Sequence, residues 1–148
     1  PVPDAVAARA VRGPGFFRAD LITQMVEDSV TLADRLADRL AEGELSAESW
    51  QRIGECIKRF HAHDIYHADL NARNILLTGS GDIYLIDFDN SYIRSGSSSW
   101  KMANLARLKR SLLKFKSNKF KRNRFKDAEA SFHFEESDWD ALLEGYRP

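Results

Sequence analysis

The stretch Tyr66–Asn90, YHADLNARNILLTGSGDIYLIDFDN, decides how the rest of the chain is read. It holds one His, four Asp and three Asn around two aliphatic runs. NILLT and DIYLIDF, separated by GSG, read as two short strands joined by a turn. A hairpin of these strands brings Asn74 and Asp87 together at one end, with Asp69 on the loop ahead of the first strand. An amide oxygen and a carboxylate then converge, a hard-oxygen donor set of the kind Mg²⁺ takes. Asp69 is placed to accept a proton from an attacking hydroxyl. These are the parts of metal-assisted phosphoryl transfer, in which a metal neutralises phosphate charge and a base orients the nucleophile. The plain alternative is a polar hairpin whose Asn and Asp serve turn geometry. Turn chemistry, however, does not demand this order and spacing.

Around this stretch, 148 residues suit one domain with a moderate core. The 22 basic and 22 acidic side chains cancel, so whole-chain charge selects no partner. A single cysteine, Cys56, excludes an internal disulfide and fits a reducing compartment. It lies beside an apolar stripe and reads as a core residue, not a nucleophile. No apolar run approaches the roughly 20 residues of a membrane span. The first residues, PVPDAVAARA, lack both a signal-peptide core and an initiator Met, so the chain is expected to be part of something longer.

Outward from the central stretch, Gly13-Pro14-Gly15 reads as the turn of a β-hairpin between AVAARAV and FFRADLITQMV. Leu32, Leu36 and Leu40 have helical spacing, with Thr31 as N-cap and Gly43 as stop. A second helix starts near Ser46 and buries Trp50, Ile53, Ile57 and Phe60. SYIRSGSSS reads as a loop, and ESDWDALLEGY as a short acidic helix. Residues 101–126 are basic with no acid. Within them Met102, Leu105, Leu108 and Leu112 are assigned to a docking face, and Arg107, Arg110 and Lys114 to the opposite face.

HADLNARN resembles the H-R-D-L-x-x-x-N loop of protein kinases, and DFD resembles their D-F-G. PVPDAVAAR, FFRADLITQ, HADLNARNILL, YLIDFDNSYIR and NLARLKRSLLK together look like the lipopolysaccharide kinase family, over nearly the whole chain. The resemblance implies an α+β, protein-kinase-like fold. Residues 1–28 would be the end of an N-terminal lobe and the hinge, and residues 29–148 the mostly helical C-terminal lobe. It implies Asp69 as catalytic base, Asn74 and Asp87 as Mg²⁺ ligands, and His67 as a scaffold residue bracing the loop. The hinge backbone from Met25 through Val26 to Glu27 would meet the adenine edge of ATP, with Leu76 beneath the ring.

Three departures from the protein-kinase pattern shape the expectation. Asp89 replaces the Gly of D-F-G, as a third metal contact or a loop cap. Asn71 stands where protein kinases carry Lys, which points to a glycan or small-molecule acceptor. No Gly-rich loop or strand Lys precedes the hinge, so the chain alone is expected to be inactive. The implied acceptor is the Kdo sugar of a lipid A precursor, at its 4-hydroxyl, on the cytoplasmic face of the inner membrane of Gram-negative bacteria. Arg107, Arg110 and Lys114 would meet that acceptor or the anionic membrane surface, although a solvated basic face reads equally well. No nucleic acid is expected, because no aromatic stacking set accompanies the charge. The alternatives are a kinase for a heptose or an aminoglycoside-like molecule, and a non-catalytic anionic-lipid-binding module.

Overall fold

The computed structural model describes residues 1–37, 44–96, 98–117 and 132–147. Its first feature is the expected hairpin, with β1 (Ala5–Gly13) antiparallel to β2 (Phe16–Thr23). Gly13 faces Phe16 across a two-residue turn, and Gly15 takes φ 76°, which the turn needs and glycine adopts freely. Both faces of β2 are exposed, with Phe17 at 67% and Leu21 at 65%.

The chain then turns into β3 (Ser29–Thr31) and α1 (Leu32–Leu36). Thr31 is the N-cap: its hydroxyl accepts from the Asp34 amide at 3.0 Å. Leu40 and Gly43, the expected continuation and stop, lie outside the described residues. Helix α2 (Ala47–Ala62) starts where expected, with Ser46 Oγ accepting from Ser49 N. Trp50, Ile53 and Ile57 are fully buried and Phe60 half-buried.

After α2 come β4 (Ile65–Tyr66), β5 (Ile75–Thr78) and β6 (Ile83–Leu85). β5 is the centre of a three-stranded antiparallel sheet in the order β3-β5-β6. Ile75, Ile83 and Leu85 are buried against α2, while Leu76 and Tyr84 pair on the other, half-buried face. The GSG turn closes with Gly81 at φ 85°. β6 ends at Leu85, so Asp87 lies two residues beyond the strand it was expected to close. The expected loop SYIRSGSSS contains β7 (Tyr92–Ile93), which pairs with β4. Two residues are too few to show a period of two.

Helices α3 (Ser99–Lys116) and α4 (Glu136–Tyr146) follow. Residues 118–131, which include the end of the basic segment, lie outside the described residues. Leu105, Leu108 and Leu112 are buried as expected. Met102 is not: it is 58% exposed, about a quarter of a turn from the centre of that stripe. Among the described residues the result is a mixed α/β fold of small antiparallel sheets and four helices.

α2 and α4 cross with almost no space between backbones. A Cβ on Gly54 would lie 2.0 Å from the Leu142 carbonyl oxygen, and one on Gly145 2.0 Å from that of Gln51. Each glycine is the slot into which the other helix fits.

A buried polar chain crosses this core. Tyr146 Oη donates to His61 Nδ1 at 2.8 Å, and His61 Nε2 donates to Asn104 Oδ1 at 3.1 Å. Asn104 Nδ2 donates to the His67 carbonyl at 2.9 Å. Asn104 Oδ1 places a proton on His61 Nε2, and burial lowers the pKa of His61, which favours the neutral ring that accepts from Tyr146. Burial also lowers the pKa of His67. Unfolding frees both rings to protonate below the ordinary imidazole range near 6.5, so the unfolded state then binds more protons. The stability that neutral rings contribute is complete above that range and is lost as pH falls toward the depressed folded-state values. The melting temperature is therefore expected to drop between pH 7.5 and 5.5, and less steeply for His61→Gln. Parallel pH profiles for variant and wild type in thermal melts would remove His61 from this account.

Candidate active site

The loop from His67 to Asn74 is held by its own side chains before any other element touches it. His67 is buried, its Nε2 donating to the Ile86 carbonyl at 2.9 Å and its Nδ1 accepting from the Asp69 amide at 3.2 Å. The ring therefore ties the loop to the residue preceding Asp87. Its face packs on Phe88, with ring centroids 4.5 Å apart. At the same residue, the Ile86 amide donates to the Asn74 carbonyl at 3.1 Å. Asp87 itself sits at φ 66°, a left-handed conformation in which Asp is tolerated better than most residues.

These ties converge three side chains. Asn74 Nδ2 donates to the Asp69 carbonyl at 2.9 Å and lies 3.4 Å from both Asp69 Oδ2 and Asp87 Oδ2. Asn71 Nδ2 donates to Asp69 Oδ2 at 3.0 Å. Asn74 is buried, Asp69 half-buried and Asp87 exposed. The amide oxygen and carboxylate of Asn74 and Asp87 are hard donors on adjacent backbone segments. They fit Mg²⁺, which commonly takes one or two protein carboxylates and completes its shell with water and phosphate oxygens. Among the described residues no group of three or more His, Cys, Asp or Glu forms a metal cluster. Asp89 is exposed.

One partner of Asp69 comes from elsewhere in the chain. Arg107, on α3, donates from Nη2 to Asp69 Oδ1. This hydrogen bond is the main reason the Asp69 carboxyl is held below its usual range, with Asn71 helping. Arg107 was expected on the face of α3 away from the domain. It lies instead on a stripe with Asn104 and Ser111, spaced i, i+3, i+7, that runs along the loop. Asn104 bonds the His67 carbonyl, Arg107 bonds Asp69, and Ser111 Oγ accepts from the Ala72 amide at 3.3 Å. Apolar periodicity conceals this stripe because two of its three residues are strongly polar and the third is small. An Asn interrupting the apolar run beside Leu105 was the available signal, and the structure buries it. Arg110 and Lys114 remain exposed.

The expected nucleotide residues are divided. A cleft of about 370 Å³ is lined by Pro1–Asp4, Gln24, Met25, Val26 and Tyr84. Val26 is half-buried there, and its carbonyl accepts from Ser29 Oγ at 2.7 Å. Glu27 is exposed and does not line the cleft. Leu76 is not part of the lining either, but it pairs with Tyr84 on the same sheet face. Cys56 is buried, and burial pushes its thiol pKa up, as suits a core residue.

A family model described as the lipopolysaccharide kinase (Kdo/WaaP) family matches residues 1–146. The chain belongs to this family. It is similar to proteins named 3-deoxy-D-manno-octulosonic acid kinase. One from Photobacterium profundum is 37% identical over 145 residues, 98% of this chain and 55% of that protein. One from Xylella fastidiosa is 39% identical over 129 residues, covering 87% and 50% respectively. One from Actinobacillus succinogenes is 40% identical over 151 aligned positions, covering 99% and 56%. The chain thus spans about half the length of the curated relatives it matches.

Proposed function

We propose that the full-length protein is an ATP-dependent carbohydrate kinase of lipopolysaccharide core biosynthesis. It would transfer the γ-phosphoryl group of ATP to the 4-hydroxyl of a Kdo sugar on a lipid A precursor. Residues 1–28 contribute strands and the hinge, and residues 29–148 form the helical lobe of a protein-kinase-like fold. The observation that carries this reading is the single hydrogen-bonded set that joins Asp69, Asn74 and Asp87. Family membership supports it.

In this reading Asp69 accepts the hydrogen bond of the attacking hydroxyl and aims its oxygen at the phosphorus. Asn71 and Asn74 fix that carboxylate so that no reorganisation is needed during transfer, and Arg107 beside it favours its ionised form. A carboxylate held ionised is a weak base. That suits a loose transition state, in which positioning matters more than early proton removal. Asn74 and Asp87 would hold Mg²⁺, which supplies charge neutralisation on the phosphate oxygens. The cleft at Met25 and Val26, with Leu76 on the adjoining sheet face, is assigned to the adenine.

No described helix is long and apolar enough to cross a membrane. Peripheral docking on the cytoplasmic face of the inner membrane is assigned to exposed charge on α3, including Arg110 and Lys114. The experiment is labelled-ATP transfer by the full-length enzyme to Kdo-lipid A precursor, a heptose-bearing core and an aminoglycoside. Label on the Kdo acceptor alone is the expected result, and preference for either other acceptor replaces this reading. In parallel, Arg110→Glu with Lys114→Glu is expected to weaken sedimentation with anionic vesicles, as added salt would. Unchanged sedimentation leaves α3 with a merely solvated face.

A further inference from the structure

Arg107 has more capacity than its one contact uses. Guanidinium carries five N–H donors in a planar fork that matches carboxylates in pairs. Only Nη2 is committed to Asp69, and the side chain is 44% exposed beside an Asp69 side chain that is 50% exposed. Holding Asp69 in place does not need this cation. Asn71 and Asn74 already bond its Oδ2 and its carbonyl, and His67 accepts from its amide. Nor does an ion pair this open to water contribute much to folding. The loop's own cation, Arg73, lies over the Phe115 ring, and Asn71, two residues after Asp69, is neutral. The charge there comes from α3, whose position the Asn104 and Ser111 bonds fix independently of Arg107. A placed, half-open guanidinium beside the group that orients the acceptor hydroxyl is built to bind an anionic part of that acceptor.

The proposed acceptor has one. An octulosonic acid carries a carboxylate on the ring carbon two positions from the 4-hydroxyl. With that hydroxyl on Asp69, the carboxylate falls within reach of the same guanidinium. We propose that Arg107 is the specificity residue for sugar-acid acceptors, binding the acceptor carboxylate with its free N–H groups while Nη2 holds Asp69. This rests on the functional reading above and deepens it. It also separates Arg107 from Arg110 and Lys114, whose exposed charge serves the surface and not the sugar.

The test compares a Kdo acceptor with its carboxylate methyl ester, using the full-length enzyme, Arg107→Gln and Arg107→Lys. Wild type is expected to favour the acid by about 10–100-fold in kcat/KM, the worth of a charge-assisted hydrogen bond. Arg107→Gln should lose that factor on the acid, chiefly through acceptor KM, and discriminate acid from ester by no more than about twofold. Its KM for ATP should stay unchanged. Arg107→Lys keeps the charge without the fork and should retain part of the preference. It is read in the same way if Arg107→Gln does not melt cooperatively. Discrimination equal to wild type in the folded variants overturns the inference while leaving the kinase reading intact. A loss in kcat alone, equal for acid and ester, also overturns it and assigns Arg107 to the transferred phosphate. If wild type phosphorylates neither acceptor, the functional reading fails and the inference falls with it.

Discussion

Asp87→Ala in the full-length enzyme is expected to lower turnover by about 10³-fold or more and to abolish the Mg²⁺ dependence of ATP binding. Asp87 is the exposed carboxylate of the convergent set, presented by a left-handed backbone position directly after Ile86, whose amide and carbonyl are both bonded. In the proposed roles, the set's other carboxylate, Asp69, is engaged by the acceptor hydroxyl and cannot replace Asp87 as a cation ligand. Losing charge stabilisation at a transferring phosphoryl group typically costs two to three orders of magnitude or more. Asp69→Asn should behave differently. It is expected to cut turnover by about 10²–10⁴-fold, the range for a positioned acid–base group, while ATP affinity stays near wild type. Nucleotide binding by calorimetry with and without Mg²⁺, beside single-turnover transfer, separates the two. Equal loss of ATP affinity in both variants would refute this division of roles.

The second large effect is structural. Gly54→Ala should destabilise the protein, although intrinsic helix propensity alone predicts a gain of about 1 kcal/mol for Ala over Gly. The added methyl would lie 2.0 Å from a backbone oxygen of α4, and that oxygen is not the flexible end of a side chain. The helices must part, and overpacking of this kind costs about 1–3 kcal/mol, sometimes more. The net effect is a loss of about 1 kcal/mol, up to about 2, and a melting temperature a few degrees lower. Gly79→Ala is the control, since nothing lies within 4 Å of its Cβ position, and it should be neutral to within about 0.5 kcal/mol. Activity should fall with Gly54→Ala as well, because separation of α2 and α4 pulls Tyr146 from His61. A variant as stable as wild type would mean that the two helices pack less tightly than described.

Local patterns made much of this fold legible. Thr31 and Ser46 cap their helices because a hydroxyl ahead of an apolar periodic run has few other uses. The Gly13-Pro14-Gly15 hairpin and the GSG turn follow from backbone chemistry at single residues. The proximity of Asn74 and Asp87 follows from the hairpin between them, 13 residues apart. What stayed hidden depends on distant contacts. Arg107 meets Asp69 across 38 residues, and only the packing of α3 decides which flank of that helix faces the loop. Met102 fits an i, i+3 pattern with Leu105, yet the stripe drifts away from it and leaves it in solvent. β7 was too short to carry a pattern. Asn104 interrupted an apolar run without revealing that it was half of a bridge.

That bridge also bears on the order in which the protein is made. The His67 loop and His61 leave the ribosome well before Tyr146, which lies 85 residues downstream of His61. At 5–20 residues per second, the interval is about 4–17 s. Throughout it, His61 has a partner for only one ring nitrogen at most, and α2 has no α4 to close against. The loop that carries Asp69 gains its ties to Asn104, Arg107 and Ser111 once α3 is out, but His61, behind Asn104, gains its second partner only after α4 has been translated. A nascent chain holds the chemical groups of the site long before it holds them still.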